Sequence, residues 1–95
     1  MNINDVWKDD QMLIPAIIQD FNTKSVLMLG YMNRESYQKT IDINKVTFYS
    51  RSRKCLWTKG ETSGNFLNYL SSEIDCDRDA LLVQATNDGP TCHLE

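Results

Sequence analysis

The sequence predicts a small α+β fold of mostly antiparallel strands with one principal helix, and three observations predict it. An isoleucine-rich run, Met12 to Phe21, is followed by a turn signal at Asn22-Thr23-Lys24-Ser25 and a second apolar run, Val26 to Leu29, which together read as a hairpin. A single strong helix start stands at Asn33, just before RESYQKTIDIN. The later β-branched and aromatic runs do not alternate with further helical patterns, which disfavours a parallel α/β sheet.

Pro15 near the start of the first strand suits an edge, because proline cannot donate to a ladder. In the helix, Tyr37 and Ile41 lie four residues apart and are expected to share the buried face, with Glu35, Gln38 and Lys39 directed elsewhere. Val46 to Tyr49 has strand character. Arg51 to Asn65 contains Gly60 and Gly64 and shows too little periodicity for a regular element, so most of it is expected to be loop. Phe66 to Ile74 is read as extended, and Ala80 to Ala85 as a short strand. Asn87-Asp88-Gly89-Pro90 is a turn signal.

Ninety-five residues make one domain, 1–95, without internal repeat, low-complexity tract or linker. Such a chain buries only about 60–65% of its unfolded surface, so a metal or a partner subunit would reinforce it usefully. With 41% hydrophobic and 24% charged residues the composition is that of a globular protein and excludes disorder. The net charge of −3 offers no overall basic field for nucleic acid. No apolar run approaches the roughly 18–20 residues of a membrane helix, so no membrane partner is expected. Asp5, Trp7, Asp9 and Asp10 make the start unlike a secretory signal, and a cytoplasmic location is expected. There, Cys55, Cys76 and Cys92 are better read as metal ligands or inert buried thiols than as a disulfide framework.

Three stretches carry chemistry. In Asp75-Cys76-Asp77-Arg78-Asp79, three carboxylates repel one another, and a compact arrangement needs a cation or solvent to offset that repulsion. If the stretch is extended, its period of two places Asp75, Asp77 and Asp79 on one face and Cys76 on the other. Oxygen ligands suit Mg²⁺ and a thiolate suits Zn²⁺, so one strand could serve two metals. By spacing alone, a solvated acidic turn between two strands is the simpler reading. An EF-hand is excluded, because Ala80 stands where that loop needs glycine and Thr86 where it needs glutamate.

In Gly89-Pro90-Thr91-Cys92-His93, Cys92 follows Cys76 at a distance without the tight cysteine pair usual in zinc sites, so spacing alone is a weak zinc signal. His93 is the only histidine. The third stretch runs from Ser50-Arg51-Ser52-Arg53 through Leu56-Trp57-Thr58-Lys59-Gly60-Glu61-Thr62-Ser63-Gly64-Asn65. Its arginines, lysine, hydroxyls and glycines suit phosphate, and Trp57 could stack on a base or simply pack. A polar surface loop anchored by one tryptophan would look the same, since no established phosphate-loop fingerprint is present.

Together and in this order, the stretches are specific. VLMLGYMNRESYQKT (Val26 to Thr40), FYSRSRKCLWTKGETSGN (Phe48 to Asn65), DCDRDALL (Asp75 to Leu82) and GPTCH (Gly89 to His93) closely resemble the phosphoribosyl-AMP cyclohydrolases. The resemblance implies an α+β fold in an intertwined homodimer with a zinc site built from cysteines of both subunits. It assigns Cys76 and Cys92 to zinc and Asp75, Asp77 and Asp79 to magnesium. It makes Arg51, Arg53, Lys59, Glu61, Thr62 and Ser63 candidates for contacts to substrate phosphate and ribose, and Trp57 is counted with them as a substrate-binding candidate on its own chemistry. The family usually continues beyond GPTCH to a third cysteine, whereas this sequence ends at Leu94-Glu95, a dipeptide that looks like a cloning remnant. Truncation at the C-terminus is therefore expected. Cys55 lies where the family places no ligand.

The implied reaction, a step of histidine biosynthesis, is hydrolytic opening of the adenine ring between N1 and C6, with a zinc-activated water as nucleophile. Thiolate ligands leave such a water less acidic than histidine ligands would, so a further base or positive charge is needed. His93 and Lys59 are the candidates. In some organisms this domain is fused to a pyrophosphohydrolase, which makes a fused or separate enzyme of that kind a possible partner. The alternative is a non-catalytic metal- and nucleotide-binding module, its activity lost by truncation. A purely structural metal domain would leave Arg51, Arg53, Lys59 and the GETSG loop unexplained.

Overall fold

The computed structural model describes residues 3–87. A 3-10 turn (Ile3–Val6) precedes β1 (Ile14–Asp20), β2 (Val26–Met32), α1 (Arg34–Ile43), β3 (Thr47–Ser50), β4 (Cys55–Thr58), β5 (Leu67–Ile74) and β6 (Leu81–Asn87). Four strands form a sheet in the order β2-β1-β6-β5, and β3 and β4 form a separate two-stranded ribbon. Every pairing is antiparallel except that of β1 with β6, which is parallel. The architecture is α+β with one α-helix among the described residues, as the pattern predicts. β1 is central rather than an edge. Pro15 is accommodated there because its side of the strand faces Tyr31 of β2, while the β6 ladder begins only at Ala16.

Strict alternation on β1 and β6 decides which face is covered. Ile14, Ala16 and Ile18 of β1 and Leu81, Val83 and Ala85 of β6 are buried, and they join Trp7, Met32, Tyr37, Val46, Phe48 and Leu67 in one apolar cluster. Trp7 is its largest member. Its indole N–H donates to the Met32 carbonyl at 3.0 Å, and its ring lies 5.1 Å from that of Tyr37. The β1–β2 turn is tied by Asp20, whose Oδ2 accepts from the N–H groups of Asn22 and Thr23. The hydrogen bond from Thr23 and the other local contacts hold the Asp20 carboxyl below its ordinary value.

Asn33 caps the helix as expected. Its Oδ1 accepts from the Ser36 N–H at 2.8 Å, and Ser36 Oγ accepts from the Asn33 N–H at 2.9 Å. The buried face differs from the expected one: it consists of Ser36, Tyr37 and Thr40, and Ile41 is 40% exposed. At about 100° per residue, Ser36 and Thr40 both lie to one side of Tyr37 and Ile41 to the other, so the helix rolls toward its hydroxyls. The reason is a polar tie. Thr40 Oγ1 donates to the Ser36 carbonyl and accepts the Thr47 N–H at 2.9 Å, joining α1 to the start of β3. Thr40→Val keeps the shape but orphans that buried N–H. A loss of roughly 1–3 kcal/mol in urea unfolding is expected. An unchanged midpoint would show that the N–H finds another partner.

Cys55 to Thr58, expected as loop, is strand β4. Four residues are too short to show periodicity, and their conformation comes from pairing with β3, which sets Trp57 opposite Phe48 and Thr58 opposite Thr47. Lys54, with φ 56, makes the tight return.

Candidate functional site

The ribbon and the loop after it enclose a cleft of about 450 Å³ lined by Ser50, Ser52, Arg53, Trp57, Thr58, Lys59, Gly60, Glu61, Thr62 and Ser63. The Lys59 N–H donates to the Val46 carbonyl, and the Val46 N–H donates to the Leu67 carbonyl, so the loop hangs from the end of the main sheet. Lys59 is only 9% exposed. Thr58 is buried beside it, its Oγ1 3.0 Å from Thr47 Oγ1. The floor is closed by Gly60, whose φ of +96 and close approach to Asn65 and Phe66 leave no room for a side chain.

Of the residues singled out in the sequence, Arg53, Trp57, Lys59, Glu61, Thr62 and Ser63 meet in this cleft. Arg51 does not line it. Its guanidinium lies over the Tyr31 ring at 4.2 Å, in a neighbouring cleft of about 580 Å³ lined by Gly30, Tyr31, Phe48, Tyr49, Ser50, Arg51, Ser52 and Trp57. The aromatic residues of this second cleft come from β2, β3 and β4, and only tertiary pairing brings them together. Their presence in LGYM and FYS was the one signal in the sequence.

Asp75, Asp77 and Asp79 also come together, each offering an oxygen within 4.8 Å of the others. They do so through a turn between β5 and β6, which is the simpler reading of the spacing, and not along an extended strand as the alternation argument supposed. Asp75 organises the turn: its Oδ1 accepts the N–H groups of Asp79 and Ala80 at 2.9 and 3.2 Å, and its carbonyl accepts that of Arg78, which has φ 62. The hydrogen bond from the Asp79 N–H, with that from Ala80, holds the Asp75 carboxyl below its ordinary value. The Asp79 carboxyl is pushed up, first by its hydrogen bond to Asp75 and then by the negative charge of Asp75 and Asp77. Cys76 is an exposed free thiol on the same turn, its Sγ 3.8 Å from Asp77 Oδ1. Cys55 is also free and exposed. Cys92 and His93 lie outside the described residues.

The basic cleft and the acidic turn are far apart within one chain. Lys59 is tied through Val46 to Leu67 at one end of β5, and Asp75 follows Ile74 at the other. Seven residue steps at about 3.3 Å put them roughly 23 Å apart along the strand.

Arginine, lysine and hydroxyl groups around one cleft, an aromatic cleft beside it and a carboxylate cluster match the equipment for a phosphorylated, ring-bearing metabolite. The chain is 60% identical over 81 residues to a histidine biosynthesis bifunctional protein HisIE of Bacteroides thetaiotaomicron, covering 85% of this chain and 40% of that one. It is 55% identical over 87 residues to the protein of the same name from Vibrio cholerae, covering 92% and 41%. For that of Staphylococcus epidermidis the identity is 59% over 81 residues, covering 85% and 38%. The chain thus spans about two fifths of the length of these curated relatives. Residues 28–95 match the family model described as phosphoribosyl-AMP cyclohydrolase, a span that takes in both clefts and the aspartate turn, and on this match and these identities the chain belongs to the phosphoribosyl-AMP cyclohydrolase family.

Proposed function

We propose that this chain catalyses hydrolytic opening of the adenine ring of phosphoribosyl-AMP between N1 and C6, as a step of histidine biosynthesis. The observation that carries the reading is the gathering of Arg53, Lys59, Thr62 and Ser63 around one cleft, with a largely buried lysine in its lining. Arg53 and the loop hydroxyls hold and orient a phosphoribosyl arm by charge-assisted hydrogen bonds. Lys59 supplies fixed positive charge where negative charge develops on the opening ring, in a setting that needs little reorganisation. Trp57 gives the cleft a wall on which a base can pack.

The aspartate turn fits a hard divalent ion such as Mg²⁺, since the three oxygens converge and a cation offsets the repulsion among them. Zinc is assigned to Cys76, an accessible thiol on that turn, together with Cys92. When bound, it supplies the Lewis acidity that makes water a competent nucleophile at neutral pH. His93, next to Cys92 in sequence, is the second candidate for moving a proton.

A homodimer completes this reading. One nucleotide cannot readily touch both ends of β5, whereas a second copy can bring its aspartate turn to the first copy's cleft. The uncovered sheet face supports such pairing. Leu29, 54% exposed, stands beside Ile17, which in turn pairs with Leu82. The relatives' bifunctional name supports a second activity elsewhere in the longer protein, for which a pyrophosphohydrolase is our proposal. Among the described residues no helix is long and apolar enough to cross a membrane. A cytoplasmic location is our proposal, supported by membership of a family of biosynthetic enzymes.

The test is turnover of phosphoribosyl-AMP with Zn²⁺ and Mg²⁺, read as a product heavier by one water. Folded, metal-loaded protein that binds the nucleotide without hydrolysing it would replace this reading by a non-catalytic binding module. Cys76→Ser is expected to abolish zinc retention in the full-length protein, and full zinc occupancy in that variant would remove the thiol assignment.

Cation binding should depend on pH in a defined direction. Asp79 stays protonated up to a higher pH than an ordinary aspartate, so proton and cation compete there. Mg²⁺ affinity, measured by titration calorimetry, is expected to hold at neutral pH and fall as the pH drops through that raised value. Asp77→Asn should weaken it by roughly an order of magnitude at neutral pH. Affinity unaffected by either change would place the cation elsewhere.

A further inference from the structure

We propose that Thr47, a buried residue that lines neither cleft, is a positioning residue: it makes the Thr58 hydroxyl an acceptor toward the first cleft, and so selects a ribose hydroxyl over a phosphate oxygen at that point. The choice of ligand rests on the proposed reaction, and the direction of the hydrogen bonds rests on geometry alone.

Thr47 and Thr58 stand opposite each other across the β3–β4 ribbon. Both are buried, and only Thr58 is part of a cleft wall. Their hydroxyl oxygens lie 3.0 Å apart, and Thr47 Oγ1 is also 3.1 Å from the Lys45 carbonyl oxygen. A hydroxyl has one proton to give, whereas a carbonyl can only accept. The Thr47 proton therefore goes to Lys45, and the contact between the two threonines is made by the Thr58 proton. The reverse direction would set two acceptors, the Lys45 carbonyl and Thr47 Oγ1, against each other at 3.1 Å. The backbone at this pair is held on both strands. The Thr47 N–H donates to Thr40 Oγ1 at 2.9 Å, and the Thr58 carbonyl accepts the Glu61 N–H at 3.0 Å.

With its proton spent inward, Thr58 Oγ1 turns only lone pairs to the cleft. Arg53 and Lys59 on the same wall are donors without acceptor capacity. A doubly ionised phosphate brings acceptors only, so it is drawn to those cations and repelled at Thr58. A ribose hydroxyl can donate to Thr58. Thr47 thus decides, from behind the ribbon, which end of a phosphoribosyl arm fits at this position.

The experiment measures binding of AMP and of its 2′-fluoro and 3′-fluoro analogues by titration calorimetry. Fluorine replaces a ribose hydroxyl at similar size and donates no proton. Wild-type protein is expected to bind one of the analogues roughly tenfold more weakly than AMP, the scale of one hydrogen bond with its buried acceptor left unpaired. In Thr47→Val the Thr58 proton is released to the cleft, and that ratio should fall to about twofold or less. Thr47→Ser keeps the hydroxyl and should restore the wild-type ratio. Thr58→Val removes the acceptor from the cleft side and should also abolish the ratio, which decides the matter if urea unfolding shows Thr47→Val to be unfolded. Mere packing damage would weaken all three nucleotides together and leave the ratio as it was, and that result would overturn the proposal. So would wild-type protein that binds both analogues as tightly as AMP. Turnover of phosphoribosyl-AMP by the wild type is read separately. Discrimination without turnover overturns the reaction and leaves the role of Thr47 standing, and turnover without discrimination does the opposite.

Discussion

Lys59→Met is expected to lower turnover of phosphoribosyl-AMP by about 10²- to 10³-fold while leaving the protein as stable as before. Lys59 is 9% exposed, and no carboxylate among the described residues forms an ion pair with it, although Glu61 lines the same cleft. Its charge faces the cleft without an internal salt bridge, so removing that charge breaks no ion pair in the fold. Methionine preserves the packing of the aliphatic stem and the backbone hydrogen bond to Val46, so what is removed is the charge alone. The measurement pairs single-turnover rates with urea unfolding. A large fall in rate with an unchanged midpoint is the expected result. A normal rate would take Lys59 out of the chemistry and leave it as a packing residue.

Gly60→Ala is expected to be the most damaging of the small substitutions. An added Cβ would come within 2.6 Å of the Asn65 carbonyl carbon and oxygen and of the Phe66 nitrogen, all backbone atoms that cannot swing aside. The φ of +96 adds its own penalty for any residue with a side chain. Strain of roughly 1–3 kcal/mol and overpacking of a similar roughly 1–3 kcal/mol act together, which is a large share of the stability of a small domain. The loop of the first cleft is held at this point by the hydrogen bond from Gly64 N–H to the Gly60 carbonyl, so KM should rise as well. Gly64→Ala is the internal control. Its φ of +84 carries the strain, but its Cβ meets nothing within 4 Å, so a loss of only about 1–2 kcal/mol is expected. Equal losses at the two positions would show that conformation alone, and not the backbone contact, sets the cost at Gly60.

Much of the candidate site was legible before any coordinates, for reasons that differ from residue to residue. Arg53, Lys59 and the GETSG hydroxyls lie within eleven residues of one another, so local chain geometry suffices to gather them. The aspartates lie closer still, and they converge in a turn as readily as along a strand. The turn escaped the alternation argument because a period of two describes where side chains point only if the backbone is extended, and Asp75 instead folds the chain onto its own carboxylate. The separation of Arg51 from Arg53 was hidden for a related reason. Sequence proximity put it with Arg53, but the tight ribbon return sends the two arginines to different clefts, and the Tyr31 ring that receives Arg51 comes from β2.

The sequence by itself determined the family, the α+β class, the first hairpin and the capped helix. These rest on local signals: turn residues, a helix N-cap, alternation and ordered motifs. Only the tertiary structure decided that Cys55 to Thr58 is a strand, that α1 turns Thr40 inward and Ile41 outward, and that the cleft and the aspartate turn stand at opposite ends of β5. Each of these depends on a partner distant in sequence: β3 for the short strand, the Thr47 N–H for the helix roll, and the β5–β6 ladder for the separation. Hydrogen-bonding groups and strand pairs choose among conformations that local preference leaves nearly equal in free energy, and that choice is visible only when the partners are in place.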